Sequence, residues 1–414
     1  MKNTSGADVI IVGGGIGGLS NAVALTQAGL KVRVLEEAPE FGEVGAGLQI
    51  APNCTRILAD WGLLDEVISL GVTPENIIMR DAIDGTELTR MDLADTRARY
   101  GSPYVVIHRS DLHAALLREA KRIGADLVTA CKVTRVEQVP GGARAISESR
   151  TDSAEIVLAA DGLRSVIRPL LSDDEPVSSA YVAYRGAVPI EKVRDLGISL
   201  HDVVIYIGPR RHFVQYPLRQ GEMFNQVAVF QSPKALAGEE VWGTPDELDT
   251  AFEETCPQVR AGLRHMWRDR WWRMFDREPI DNWVQGRLAL TGDAAHPPLQ
   301  YLAQGAVMAM EDAWVLAGHV QRQGVKGSAE HGTPTGIDWD ATLAAYNAVR
   351  PVHCRRVLTT ARAWGNLWHH DGDKRLWRNQ VFRERDVHDY SYVDWLYGPT
   401  AMTPDELAPM FPQL

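Results

Sequence analysis

The spacing of apolar residues changes twice within the first forty positions of the chain. Asp8 to Val12 forms a short apolar run, Ile16 to Ala28 repeats with helical spacing, and Lys31 to Glu36 is a second short run ending in an acid. A strand-length run, a helix and another strand predict a βαβ unit. Ser110 to Arg122 again has helical spacing, with Ser110 as its predicted N-cap. Strands are predicted at Asp126 to Ala130 and Lys132 to Glu137, then a Pro140-Gly141-Gly142 turn, then a short strand from Ala154 to Leu158 leading to Asp161. Residues Leu163 to Leu170 read as a helix that Asp161 could cap.

From Pro176 to Trp283 the pattern becomes alternating, with strands predicted at Val203 to Gly208, His212 to Leu218 and Asn225 to Phe230. Arg287 to Leu290 returns as a buried strand, and Gly305 to Val320 is helical. The expected organisation is an α/β chain in which residues 1–73, 98–175 and 284–320 build one discontinuous nucleotide domain. Residues 74–97 and 176–283 build an inserted, sheet-rich substrate domain, residues 321–339 a connector, and residues 340–414 a C-terminal helical region. That last region carries Trp364, Trp368 and Trp377, expected to pack over the core or to offer an apolar surface for a homodimer.

Composition narrows the partners. The chain has 414 residues, 45% hydrophobic and 23% charged, enough for two cores. A net charge of -11 argues against nucleic acid or an anionic membrane, because phosphate-rich partners need clustered cations. The four cysteines, Cys54, Cys131, Cys256 and Cys354, form no CxxC or Cys/His cluster, so no metal site is expected and a reducing, cytoplasmic setting fits. No run is apolar and long enough to predict a membrane span.

The first βαβ unit contains Gly13-x-Gly15-x-x-Gly18 between strand and helix. Gly13 permits the tight turn, Gly15 lets backbone approach a pyrophosphate, and Gly18 allows close packing, which places phosphates at the positive end of a helix. Glu36 ends the next strand, where a carboxylate can accept from ribose hydroxyls. This motif alone does not separate NAD from FAD. Two further elements follow in order, Asp161-Gly162-x-x-Ser165-x-x-Arg168 and Gly292-Asp293-Ala294-Ala295-His296-Pro297.

The three motifs together resemble those of the class A flavoprotein aromatic hydroxylases, over nearly the whole chain. The resemblance implies a Rossmann-like FAD-binding domain of the para-hydroxybenzoate hydroxylase type, with FAD held tightly, NADH as a transient co-substrate and O2 as oxidant. It also implies that Asp293 holds the ribityl chain and that Arg109, in His108-Arg109-Ser110-Asp111, reaches the phosphates. Gly45-Ala46-Gly47 would line the isoalloxazine ring, Asp161 would serve both nucleotides, and Ala306 would complete the cofactor set. Within the family, Phe41 to Gln49, Gln215 to Arg219, Pro297 to Ala303 and Trp364 to His369 look most like bacterial 3-hydroxybenzoate 6-hydroxylases. By that likeness Tyr104, His212 and Gln300 fall on positions of substrate binding and activation, and the product would be gentisate.

The chain departs from the family pattern after His296, where Gln300 and Ala303 replace a usual Pro and Gly. An amide at Gln300 could bond a substrate hydroxyl or carboxylate, unless it only caps the next helix. Period-2 geometry puts His212 and Tyr216 on one face of their strand, with Phe213 and Gln215 on the other. A phenol ionises near pH 10, so an imidazole bonded to it could draw off its proton and enrich the ring carbon to be oxygenated. The implied cycle passes through a flavin C4a-hydroperoxide. Alternatives on the same fold are salicylate or 6-hydroxynicotinate hydroxylation; a flavin-binding sensor without turnover and a simple NAD dehydrogenase remain as others.

Overall fold

A computed structural model describes residues 2–42, 45–323 and 336–398, and of residues 2–5 the backbone only. Its first large sheet has six strands, in the order Val284–Gln285, Leu288–Leu290, Ile156–Ala159, Val9–Val12, Val32–Leu35 and Asp126–Val128. All neighbours are parallel except the first pair. The central strands are apolar at nearly every position because a parallel sheet is covered on both faces. Helices Ile16–Gln27 and Gly305–Gln323 pack together beside it. Strands contributed by residues 9, 156 and 288 onward therefore lie side by side although the sequence separates them widely.

The second large sheet has seven strands, in the order Trp272–Asp276, Val177–Pro189, Met223–Gln231, Arg211–Leu218, Val203–Gly208, Asn76–Asp81 and Glu87–Asp92. Alternation divides its residues cleanly. Phe213, in register with Ala228 and Tyr206, packs into an apolar cluster with Tyr184 and Phe252. The opposite face carries the row Arg185, Val227, Val214, Ile205, Met79 and Thr89, each paired with the next across the strands. A two-stranded ribbon, Gly47–Ile50 with Val105–His108, lies between the sheets in sequence, and the Gly47 N–H donates to Asn225 Oδ1 at 2.9 Å.

Several expected elements are corrected. The helix predicted from Ser110 begins at Arg109, and His108 is its N-cap, its ring accepting from the Ser110 N–H. The strands near residue 130 are Asp126–Val128 and Val133–Val139, in different sheets, with Ala130 at φ 50 between them. Ala154 to Leu158 is not one strand: Arg150–Ala154 and Ile156–Ala159 belong to separate sheets and part at Glu155. Leu163 to Leu170 is not an α-helix. The Ser165 hydroxyl takes the N–H groups of Ile167 and Arg168, and Asp161 takes that of Val166, which leaves only a 3-10 turn at Arg168–Leu170.

Of the expected connector, Gln321 to Gln323 finish a helix, Trp339 starts the next, and residues 324–335 lie outside the described part. The helix Trp339–Trp368 runs 30 residues, capped by Asp338, and is followed by Gly372–Glu384 and Ser391–Tyr397. Trp364 and Trp368 face the interior, whereas Trp377 is exposed. Among the described residues no helix is long and apolar enough to cross a membrane.

Candidate active site

A cavity of about 870 Å³ runs from the glycine turn after Val12 to the inward face of the seven-stranded sheet. That volume suits a large ligand plus a small one. At its nucleotide end the turn is built for backbone alone. Gly13 has φ +103, and a Cβ there would lie 2.4 Å from the Ala160 carbonyl oxygen. At Gly18 a Cβ would be 1.9 Å from the Gly13 oxygen, so Gly18 serves close packing and stands behind the wall. Gly15 is the N-cap of Ile16–Gln27, whose free N–H groups face the cavity with Gly13 and Gly15.

Glu36 also lines this end, accepting the Gly14 N–H at 2.6 Å and the Ala38 N–H at 2.8 Å. Arg109, Asp293 and Ala306 are brought to the same wall. Asp161 joins them: one carboxylate oxygen holds the Val166 N–H, and the other is buried without a partner. Burial pushes the Asp161 pKa up, against the lowering effect of the Ser165 hydroxyl. Gly47 lines the cavity, while Gly45 and Ala46 stand behind it against Arg109. A cradle closed to side chains, helix N–H groups and an open carboxylate oxygen together fit a dinucleotide such as FAD.

At the other end His212, Val214 and Tyr216 all face the cavity, as their alternation requires. His212 is almost wholly enclosed. Its Nε2 lies 3.3 Å from Gln300 Nε2, and its Nδ1 lies 2.9 Å from His369 Nε2. Gln300 opens a short 3-10 turn, Gln300–Leu302, and its amide points at the imidazole. Two proton arrangements satisfy this chain. Either the amide N–H donates to His212 Nε2 while Nδ1–H donates to His369, or the amide is turned over and every donor reverses.

Burial, reinforced by the charge His369 would carry, holds His212 well below the usual imidazole range. Burial and then Arg378 bring His369 down to about 3. Both rings are therefore neutral at neutral pH. Tyr104 donates to Gln49 Oε1 at 2.8 Å, and burial keeps both Tyr104 and Tyr216 protonated, with pKa values raised well above that of a free phenol.

Four features of the site escaped the sequence. His369 backs His212, and the only signal was its place in the Trp364 to His369 string. His113 bonds the Gly14 carbonyl at 2.8 Å and so braces the phosphate turn from a neighbouring helix. Trp364, Trp368, Trp395 and Tyr397 form a wall, and Arg185 reaches the cavity from the strand Val177–Pro189. The last two depend on strand register and helix docking, which no local pattern announces.

A parallel sheet carrying a glycine turn, a distant Gly-Asp turn at the same cavity and a second sheet with a polar pocket match an FAD-dependent hydroxylase with the para-hydroxybenzoate hydroxylase-like fold. The family model described as FAD binding domain matches residues 6–331, and the chain belongs to this family, as a class A flavoprotein hydroxylase. It is 35% identical to the 3-hydroxybenzoate 6-hydroxylase of Polaromonas naphthalenivorans (strain CJ2), over 96% of this chain and 97% of that protein. It is also 35% identical to the 3-amino-4-hydroxybenzoate 2-monooxygenase of Streptomyces cremeus, over 97% of this chain and 98% of the relative. Among solved structures, Klebsiella pneumoniae HpxO complexed with FAD and uric acid superposes with a TM-score of 0.80 at 25% identity, covering 96% of this chain and 97% of that one.

Proposed function

We propose that the protein hydroxylates a phenolic aromatic acid, with 3-hydroxybenzoate as substrate and gentisate as product, consuming NADH and O2. The observation that carries this reading is the His212 and Gln300 pair, a neutral imidazole and an amide facing the cavity of an FAD hydroxylase. Bound FAD supplies the redox chemistry, passing electrons from NADH to O2 so that one oxygen atom can enter the ring.

The chain's own residues hold and activate the phenol. Tyr104, Tyr216, Val214 and the Trp368 wall enclose the ring and exclude water. The phenol displaces the Gln300 amide from His212 Nε2, and its proton passes to that nitrogen when His369 accepts from Nδ1, because only that tautomer carries an Nε2 lone pair. The product is an imidazolium beside a phenolate, and each charge stabilises the other in a low-dielectric pocket. Gln300 can donate to the same phenolate oxygen. Electron density rises ortho and para to the oxygen, and position 6 of 3-hydroxybenzoate is para to its hydroxyl. Arg109, Asp161 and Asp293 are assigned to the cofactor, with the Gly13 to Gly18 turn and Glu36.

The Streptomyces relative of equal identity favours a second reading, an amino-hydroxybenzoate as substrate. Measuring NADH and O2 consumption with a panel of hydroxybenzoates, salicylate and 3-amino-4-hydroxybenzoate, with product analysis, decides between them. Gentisate formed from 3-hydroxybenzoate is the expected result. His212→Ala should keep its FAD yet lose about 100-fold or more in hydroxylation and release hydrogen peroxide instead. Unchanged coupling would remove His212 from the reaction.

A further inference from the structure

Arg185 is the one cation on the inward row Arg185, Val227, Val214, Ile205, Met79 and Thr89. It is half-buried and lines the cavity. Among the described residues no carboxylate pairs with it, and its Nε is buried without a hydrogen-bond partner. Its neighbour is instead the Trp272 ring, 5.6 Å from the guanidinium carbon. A guanidinium kept from water without an anion is costly, and a fold tolerates it where a ligand supplies the missing charge.

We propose that Arg185 is the clamp for the carboxylate of the aromatic acid, which sets the ring in place between itself and His212. This rests on the hydroxylase reading above and names the anchor at the far end of the substrate. The sheet geometry gives the spacing. Arg185 is two strands from Val214, one two-residue step along from the row of His212, which puts the Arg185 and His212 Cα atoms roughly 12 Å apart on one face. Val214 and Val227 line the cavity between the two positions. An arginine fork matches a carboxylate with two parallel bonds and so fixes orientation as well as charge. Burial lowers the Arg185 pKa, an effect that Tyr216 opposes and Arg109 adds to, and an incoming anion reverses it.

The test uses the FAD-loaded enzyme and compares binding of 3-hydroxybenzoate with that of neutral 3-hydroxybenzamide, read from perturbation of the bound-flavin spectrum. In Arg185→Met the acid should bind on the order of 10- to 100-fold more weakly, while the amide changes little and flavin content stays the same. The substrate-free variant should melt no lower than the parent, because an unpaired buried charge has been removed. Arg185→Lys should give an intermediate acid affinity, and it decides the matter should the Met variant not fold. Acid affinity unchanged in the variants, equal loss for acid and amide, or loss of FAD would each overturn the assignment. Acid bound selectively through Arg185 without turnover of any hydroxybenzoate would overturn the proposed reaction and leave the clamp standing.

Discussion

His212 and His369 fold as neutral rings, and that choice has a pH signature. In the unfolded chain each ionises near 6.5, whereas in the fold both values are depressed, His369 to about 3. Below pH 6.5 the unfolded chain takes up protons that the native state refuses, so stability is full above that value and falls as the solution is acidified. Each ring contributes a slope of about 1.4 kcal/mol per pH unit at most. His369→Asn should flatten the decline measured by urea unfolding across the mildly acidic range, and an equally steep decline would show that His369 titrates freely in the native state. In the same variant His212 loses its Nδ1 partner, so the pH profile of hydroxylation should move as well.

At the scale of elements, the turn that carries Gln300 is strained where it leaves. Ala303 has φ 55 and ψ 33, the left-handed conformation that suits the glycine usual at this position. Ala303→Gly should raise stability by about 0.5–1 kcal/mol, the left-handed cost of a Cβ less the extra freedom of glycine in the unfolded chain; a lower unfolding midpoint would refute this. Apolar runs of helix or strand length, such as Ile16–Gln27 and Val203–Gly208, were legible because both are buried almost throughout, as their composition requires. The stretch after Asp161 misled because Asp161 and Ser165 side chains capture the backbone N–H groups a helix would have used. Arg168 is drawn inward to the carbonyls of Ala294 and Ala295, a tertiary pull absent from local pattern. The pairing of His212 with Tyr216 on one face followed from alternation alone, but Arg185 and His369 depend on which strands and helices become neighbours.

Across the whole molecule, one buried charge network joins the Gly292 turn to the C-terminal helices. Asp312 accepts from His296 Nε2 at 2.6 Å, from the Gly292 N–H at 2.9 Å and from Arg350 Nε at 2.7 Å. Arg350 also bonds Glu311 at 3.1 Å, and Glu311 takes the Asn53 amide at 2.8 Å. Burial alone would raise the Glu311 pKa, but His353 and Arg350 outweigh it and hold the carboxylate ionised. Arg350→Met strands two enclosed carboxylates and should cost about 3–5 kcal/mol in unfolding free energy, with FAD retention weakened because Asp293 follows Gly292. A loss under about 1 kcal/mol would mean the carboxylates are protonated or relaxed. The same long helix that carries Arg350 ends in Trp368 and His369, and beyond it Trp395 and Tyr397 finish the cavity wall. Every strand of both large sheets, and every residue proposed for the cofactor, has been made by Ala306, yet the chamber for the aromatic ring still lacks a side. The growing chain thus acquires its means of holding a nucleotide well before it can enclose anything to be oxidised.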